Sequence, residues 1–214
     1  MVERAIYDPD CVRCPRLAGF LRRVHAEHPG YWARPVPSFG AADPRIVIVG
    51  LAPGLHGANR TGRPFTGDYA GILLYRTLHE AGLATQPHSE SRDDPLKLRH
   101  ARIINSVKCL PPENKPSPAE IRTCNTYLAA ELGRLRRVRV VLALGRIAHD
   151  AFLQAEGRKR AAFPFGHGRE HPLGDGRHLI DSYHCSRYNT STGRLTGAMF
   201  RAVVARSCEL AGIV

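Results

Sequence analysis

Four short apolar runs alternate with longer mixed segments over residues 45–210. The runs are continuously apolar, which is typical of strands buried on both faces. The segments between them are typical of helices. We predict strands over residues 45–51, 102–107, 139–144 and 178–183. We predict helices over residues 15–25, 69–81, 147–154 and 196–210, and one more from Ser117.

The helix that starts at Ser117 has the clearest start signal. Ser117 and Glu120 form a capping box, with Pro118 at the first helical position. Buried strands separated by helices predict an α/β protein whose sheet is parallel and covered on both faces. Ligands of such sheets bind beyond the carboxyl ends of the strands. We therefore expect the chemistry in the loops after the first, second and fourth strands.

The length of 214 residues predicts one domain, in which residues 1–44 form an irregular, partly proline-rich arm. Charged and polar residues follow Met1, which argues against a secretory signal. No apolar run approaches the roughly 18 residues of a membrane span. We therefore expect a cytoplasmic protein, associated with the nucleoid in a prokaryote, that is monomeric and has no membrane partner.

The charge of the chain changes the range of partners. Lys and Arg number 31 against 19 Asp and Glu, and the formal net charge is +12. Arg accounts for 27 of the 31 cations, and its guanidinium suits bidentate contact with phosphate. Such an excess favours a polyanionic partner, most simply nucleic acid. A GC-rich genome would also enrich Arg codons, so the arginine bias is weaker evidence than the net charge.

Four of the six cysteines form two pairs, which suggests a metal site with four thiolate ligands. The pairs are Cys11-x2-Cys14 and Cys109-x14-Cys124. Clustered cysteines in a cytosolic protein bind metal more often than they form disulfides. The long second spacing favours an iron–sulfur cluster over zinc, and four unrelated buried thiols are the weaker alternative. Of the other two, Cys208 is best interpreted as a small buried hydrophobe.

The loop after the first strand contains five glycines between Gly50 and Gly67. Glycines allow the backbone to approach a ligand closely and leave N–H groups free to donate. Asp68 precedes a helix, so it is either an N-cap or a carboxylate at the mouth of a site. Phe65 is either a stacking surface for a flat ligand or a core residue.

The second and fourth strands also end in polar residues. Asn105 ends the second strand, where it could hydrogen-bond the edge of a base or complete a turn. His184 follows the fourth strand and begins a polar loop that contains Arg187, Asn189 and Arg194. A histidine beside two arginines fits a hydrogen-bond donor next to phosphate contacts.

Three segments together resemble a known family. The GxAPG…TGRPFTGD loop, the NSVKCxPPxNK segment and the HxSxxNTxTGRLT segment are similar to those of the iron–sulfur uracil-DNA glycosylases, most of all family 5, or type b. The resemblance covers nearly the whole chain. An acidic motif that follows Ala-Pro-Gly in the commoner branch is absent at residues 55–59, as in type b. This absence leaves open which group activates water, and the resemblance suggests Asp68.

The resemblance implies a three-layer α/β/α sandwich with a central, mainly parallel four-stranded sheet. It implies a [4Fe–4S] cluster that attaches the N-terminal arm through Cys11, Cys14, Cys109 and Cys124. It also implies hydrolysis of the N-glycosidic bond of uracil in DNA, leaving an abasic site. Type b members are similar in accepting further deaminated or damaged bases such as hypoxanthine, xanthine and ethenocytosine.

This resemblance leads to specific roles for the strand-end residues. Phe65 would stack on the extruded base, Asn105 would bind its edge, and His184 would donate to its oxygen. Asp68 would stabilise the cationic sugar or orient water. Further substrate contacts are expected from the following residues: Gly50, Ala52 and Gly54 through the backbone, Asn189, and Arg187 and Arg194 through phosphates.

Two other classes of function stay open at this stage. One is a non-catalytic DNA-binding protein that is held together by its metal site. The other is an iron–sulfur redox sensor, in which Cys185 beside His184 would be a reactive thiol.

Overall fold

The computed structural model describes residues 6–213, so residues 1–5 of the predicted arm lie outside the described part. Within residues 6–213 the chain forms these α-helices: α1 Pro15–Glu27, α2 Ala58–Thr61, α3 Tyr69–Glu80, α4 Pro118–Leu132, α5 Arg146–Ala155, α6 Arg187–Ser191 and α7 Gly197–Ala211. It also forms these strands: β1 Phe39–Gly40, β2 Ile46–Gly50, β3 Ala101–Asn105, β4 Val140–Leu144, β5 Glu170–Pro172 and β6 His178–Ser182. No helix among the described residues is long and apolar enough to span a membrane.

The strands form one mixed sheet in the order β1-β3-β2-β4-β6-β5. The four predicted strands are its centre, where β3, β2, β4 and β6 pair in parallel. The prediction of four strands was incomplete, because β1 and β5 add antiparallel edges. These edge strands have two and three residues, too few to show a hydrophobic pattern in sequence.

Helices cover both faces of the sheet, which explains why every residue of β2 is buried. Ile46 and Ile48 of β2 face a core that includes residues of α3 and α7. Val47 and Val49 face the opposite side, where α4 and α5 pack. Alternate residues of a strand point to opposite faces, so a strand between two helical layers must be apolar throughout.

The N-terminal arm packs on the rest of the molecule through a third apolar cluster. Its helix α1 contributes Leu17, Leu21 and Val24, which pack with Val107 and Leu110 beyond the end of β3. The Arg16 guanidinium and the Glu120 carboxylate are 2.7 Å apart and join α1 to α4. The predicted capping box of α4 is confirmed, with Ser117 and Glu120 each bonding the other's backbone N–H.

Candidate active site

A cavity of about 360 Å³ lies beyond the carboxyl ends of the parallel strands. It brings together predicted site residues from three separate loops. They are Ala52, Gly54, Phe65, Asp68, Asn105 and His184. The sheet topology accounts for this convergence, because parallel neighbouring strands end at the same edge.

Asn105 ends β3 directly beside Gly50, the last residue of β2. A Cβ atom on Gly50 would lie 2.4 Å from Asn105 Oδ1 and 3.0 Å from the ring of Phe65. Gly50 therefore supports both side chains by leaving them room. Asn105 is 3% exposed, and its Oδ1 has no hydrogen-bond partner within residues 6–213. A buried acceptor without a partner costs about 1–3 kcal/mol, so this oxygen is suited to a ligand's donor.

The two oxygens of Asp68 have different surroundings. Oδ1 accepts a hydrogen bond from the Gly71 N–H at 2.9 Å and caps α3, so the N-cap prediction is confirmed. Oδ2 lies against Gly57, where an added Cβ would be 2.3 Å away. Burial raises the pKa of Asp68, and the backbone N–H groups of Gly71 and Ala70 partly oppose this. The same carboxyl group thus caps a helix and lines the cavity.

Phe65 is buried in the wall of the cavity with a left-handed backbone, φ 54°. Its ring centroid is 5.9 Å from that of His184, and the two planes are tilted by 30°. A non-glycine residue in this conformation costs on the order of 1–3 kcal/mol and must be held by its surroundings. Gly71 of α3 leaves room for this backbone conformation, because a Cβ atom on Gly71 would lie 1.8 Å from the carbonyl oxygen of Phe65.

A cluster that we call the Asp94 clasp, made of Arg63, Ser89 and Asp94, holds the segment around Phe65 from the other side. The Asp94 carboxylate accepts hydrogen bonds from the Arg63 guanidinium and from Ser89 Oγ. Ser89 in turn contacts Thr66, with 2.8 Å between the two hydroxyl oxygens, and its carbonyl accepts from Gly67 N–H at 3.1 Å. The clasp therefore fixes the backbone on both sides of Phe65 and just before Asp68.

His184 is partly buried, and burial lowers its pKa to about 4. The imidazole is consequently neutral at pH 7 and carries one N–H that can donate. Its backbone carbonyl accepts a hydrogen bond from Asn189 Nδ2 at 2.8 Å. Asn189 thus lies behind His184 and lines a neighbouring cavity, outside the one that contains Asn105 and Asp68. Its predicted contact with substrate stays a prediction.

The neighbouring cavity, of about 370 Å³, also contains Arg194 and Arg146. The Arg194 guanidinium lies over the ring of Tyr183, 4.6 Å from its centroid. Arg187 lies elsewhere, 5.9 Å from the ring centroid of Tyr69. The two arginines predicted to hold phosphates are therefore placed in different surroundings, and that role stays a prediction.

A buried hydrogen-bond network supports the wall of this neighbouring cavity. Asp181 Oδ1 and His149 Nδ1 are 2.6 Å apart, and Asp181 Oδ2 and His171 Nε2 are 3.2 Å apart. The carboxylate also accepts from Gly166 N–H at 3.1 Å, while His149 Nε2 contacts the Phe163 carbonyl at 2.8 Å. Each of these side-chain nitrogen and oxygen atoms already has a hydrogen-bond partner. The cluster is therefore a structural network that holds residues 163–171.

The four paired cysteines lie around one pocket beneath the N-terminal arm: Cys11, Cys14, Cys109 and Cys124. All four are free thiols. The Lys108 N–H donates to Cys124 Sγ at 3.3 Å. Burial, followed by the neighbouring thiolates, raises the pKa of Cys109. Four thiolates confined together need a compensating positive charge, so the donor set fits a thiolate-bound metal group.

Cys185 does not have the properties of a reactive thiol. It is 0% exposed and belongs to the core cluster beside α7. Burial, with the Asp68 charge as a smaller cause, raises its pKa to about 12. A thiol that is protonated and shielded at neutral pH is a poor nucleophile.

Several residues at this edge of the sheet were missed by the sequence predictions. Asn114 and Ser186 line the same cavity as Asn105 and His184. Tyr188 is 71% exposed on α6, close in sequence to His184. An aromatic residue in a polar strand-end loop was an available signal for Tyr188. Asn114 is a fixed position of the NSVKCxPPxNK segment, but only the fold shows that the loop after Cys109 brings it to the cavity.

Comparison with known proteins identifies the family to which the chain is related. Residues 37–206 match the family model described as the uracil DNA glycosylase superfamily. A type-5 uracil-DNA glycosylase of Thermus thermophilus is 50% identical over 208 residues, which cover 95% of this chain and 94% of that protein. A type-5 uracil-DNA glycosylase of Pyrobaculum aerophilum is 42% identical over 209 residues, 95% of this chain and 90% of that protein.

Similarity to type-4 uracil-DNA glycosylases is lower and covers less of the chain than similarity to the type-5 proteins. A type-4 uracil-DNA glycosylase of Thermotoga maritima is 38% identical over 121 residues, only 56% of this chain and 54% of that protein. The resemblance to family 5 that the sequence motifs indicated is confirmed. The chain belongs to the uracil DNA glycosylase superfamily.

Proposed function

We propose that this chain hydrolyses the N-glycosidic bond of uracil in DNA and leaves an abasic site. The observation that carries the proposal is the convergence of Phe65, Asp68, Asn105 and His184 in one cavity. These residues supply a stacking face, an anion, an edge acceptor and a neutral donor. The names of the type-5 relatives support the same reaction.

The target nucleotide would have to leave the duplex before it could enter the cavity. Enzymes that act on a base rotate its nucleotide out of the stack into a pocket. Phe65 would stack on the extruded base, and Asn105 Oδ1 would accept the N3–H of uracil. Tyr188, the most exposed large hydrophobic side chain among the described residues, would occupy the space that the nucleotide leaves.

Bond cleavage would develop positive charge on the sugar and negative charge on the departing base. His184 would donate its N–H to the base oxygen that gains this charge. Removing one such donor typically costs about 2.7–4 kcal/mol of transition-state stabilisation. Asp68 would act on the other side of the bond, where its carboxylate favours the cationic sugar or orients the attacking water.

Further deaminated or damaged bases, such as hypoxanthine, xanthine and ethenocytosine, are proposed as additional substrates. A cavity of about 360 Å³ has room for a purine as well as a pyrimidine. The glycine-rich wall between Gly50 and Gly54 supports this, because backbone imposes few constraints on the shape of a ligand.

We also propose that the four-cysteine pocket holds a [4Fe–4S] cluster. The long Cys109-x14-Cys124 spacing supports a cluster over a single zinc ion. The cluster would supply positive charge and cross-linking, while the proposed reaction uses none of its redox chemistry.

The direct test is strand scission of oligonucleotides that contain one uracil, hypoxanthine, xanthine or ethenocytosine. We expect the wild-type protein to convert uracil to an alkali-labile site. His184→Ala should be slower by about 10²–10³-fold because it lacks the donor. His25→Ala, which alters an exposed histidine of α1, is the matched control. Binding without any scission by the wild-type protein would instead indicate a non-catalytic DNA-binding protein.

Base selection by Asn105 leads to a separate prediction. Asn105→Asp should gain measurable release of cytosine, because a carboxylate can accept the amino group that cytosine presents at the same edge. The measurement is single-turnover release from matched oligonucleotides that contain uracil or cytosine. Unchanged selectivity in a folded variant would contradict edge recognition by Asn105.

The redox-sensor alternative is less well supported, because Cys185 is buried and its pKa is raised to about 12. The cytoplasmic location and the monomeric state expected from the sequence stay predictions.

A further inference from the structure

A second cavity, of about 530 Å³, shares Asp68 with the proposed base cavity. It lies between the first two turns of α3 and residues 87–90. Its wall includes Tyr69, Ile72 and Arg76 on the helix, with His88 and Glu90 opposite. The two cavities therefore adjoin at the carboxyl group that we place beside the scissile bond.

Two large hydrophobic side chains on this wall are exposed. Tyr69 is 46% exposed and Ile72 is 54% exposed, although most large apolar residues described here are buried. The Asp68 cap fixes the start of α3, so Tyr69 is its first helical residue. Residues three apart lie on the same face of a helix. Tyr69 and Ile72 therefore present one continuous apolar surface next to Asp68.

Cations border this surface. The Arg187 guanidinium is 5.9 Å from the ring centroid of Tyr69, and Arg76 lies one helical turn beyond Ile72. Within the described part of the chain, neither arginine forms an ion pair with a carboxylate. An aromatic face bordered by unpaired arginines is the usual arrangement for a single nucleic-acid strand.

We propose that this second cavity binds the nucleotide next to the target in the same DNA strand, with its base stacked on Tyr69. The inference rests on the proposed function, since it assumes that the target base enters the first cavity. Consecutive nucleotides of one strand are joined by a single phosphodiester, so a nucleotide rotated out of the stack stays close to its neighbour. A site for the neighbour must therefore adjoin the site for the target, as these cavities do.

Arg76 and Arg187 would hold the phosphates of this segment. Stacking is insensitive to the identity of the base, because every base has a flat π face. The second cavity would thus strengthen binding without limiting the sequences in which a lesion is recognised.

The test combines a variant with a change in the DNA. Oligonucleotides carry one uracil, and the nucleotide on its 5′ or 3′ side is either normal or an abasic analogue. We expect Tyr69→Ala to weaken binding of the normal oligonucleotide roughly tenfold. Removing the relevant neighbouring base should weaken binding by the wild-type protein by the same factor. Removing that base should not weaken binding by Tyr69→Ala any further. Tyr69→Phe keeps the ring, so its binding should stay sensitive to removal of the base.

A second measurement does not depend on turnover. With 2-aminopurine as the neighbouring base, wild-type protein and Tyr69→Phe should change its fluorescence on binding more than Tyr69→Ala does. Ile147→Ala, which removes an exposed apolar side chain of α5 outside this cavity, is the matched control. Because binding and fluorescence are read without scission, they report on the second cavity even if uracil is not released.

Two outcomes would overturn the proposal. Suppose that Tyr69→Ala weakens binding, relative to wild type, by the same factor on the normal and on the abasic-neighbour oligonucleotide. Tyr69 would then not contact that base. Sensitivity only to removal of a base in the complementary strand would assign the cavity to that strand instead. Failure of wild-type protein to release uracil, with the stacking signal intact, would reject the proposed function alone.

Discussion

At the scale of single residues, the carboxyl group of Asp68 does two separate things. One oxygen caps α3 through the Gly71 N–H, while the other faces the glycine-rich loop of the cavity. Helix capping alone would explain an aspartate at this position, so its presence does not establish catalysis. The two roles can be separated, because an amide keeps an oxygen acceptor for the cap and loses the negative charge.

Asp68→Asn should therefore release uracil at least about 10²-fold more slowly while its stability stays close to wild type. Asp68→Ala should slow uracil release by the same factor. It should also lower the free energy of unfolding by about 1 kcal/mol, because the cap is removed. Single-turnover kinetics and urea unfolding measure the two effects. A full rate for Asp68→Asn would leave the residue with the cap as its only role.

His184 predicts a pH dependence of stability. Its pKa is about 4 in the folded protein against an ordinary value of 6.5, because partial burial disfavours the charged form of the ring. Below pH 6.5 the unfolded chain takes up a proton that the folded protein does not. Stability should therefore fall between pH 6.5 and 4, by at most about 3 kcal/mol from this group.

His184→Gln lacks this group and should lose less stability over the same pH range. Urea unfolding of both proteins at several pH values gives the difference directly, and His25→Gln is the matched control. Parallel curves for His184→Gln and the wild-type protein would contradict the burial of a neutral ring.

The polar residues at strand ends were predictable because their place follows from the strand pattern alone. Asn105 and His184 needed only the positions of β3 and β6. The backbone state of Phe65 and the contribution of Asn114 were not predictable, because both depend on contacts between segments distant in sequence. The orphaned oxygen of Asn105 was equally hidden, since the sequence shows a donor and an acceptor but not their partners.

At the scale of elements, the Asp94 clasp connects the loop before α3 to the long segment between α3 and β3. Arg63 and Asp94 are both largely buried, at 8% and 14% exposure of their side chains. Burial alone would raise the pKa of Asp94, but hydrogen bonds from Arg63 and from backbone N–H groups hold it below its ordinary value. This contribution to stability is present above pH 3.8 and is lost as the pH falls through the folded pKa.

Asp94→Asn should cost about 3 kcal/mol, because it leaves the Arg63 charge buried without its partner. It should also slow uracil release by loosening the backbone around Phe65. Hydrogen exchange should show the earliest loss of protection in residues 63–67 and 89–96. Asp175→Asn breaks an exposed pair with Arg177 and is the control. Loss of protection spread evenly over the sheet would contradict a local clasp.

The long elements were predicted within a few residues, and the short ones were missed. The strands of the parallel centre are continuous apolar runs, which a sequence displays directly. The two-residue β1 and the four-residue α2 contain no repeat, so they form only when the surrounding structure positions them. Part of the cavity wall comes from such segments, including Ala58 of α2.

At the scale of the whole molecule, the four cysteines line one pocket where the arm meets the region after β3 and α4. If they hold a cluster, its removal should release the arm without unfolding the sheet, whose two cores lie elsewhere. Cys11→Ser, or treatment with a chelator, should lower the unfolding temperature and increase proteolysis within residues 6–44. Absorbance near 400 nm follows the cluster itself. An unchanged arm after loss of the metal would contradict this cross-linking role.

Loss of the metal should slow uracil release only by lowering the fraction of folded protein. Residual activity is therefore expected at low temperature, where the fold persists. Complete loss in a protein that is still folded would indicate a more direct role for the metal.

The packing of α1 against distant partners also matters while the chain is being made. Leu17, Leu21 and Val24 bury against residues that include Val107, Leu110 and Tyr127. A ribosome exposes the first group long before the last has been synthesised. During that interval the apolar face of α1 and two thiols have no partner on the same chain. The first helix is thus exposed to aggregation, and Cys11 and Cys14 are exposed to oxidation, until translation passes the middle of the chain.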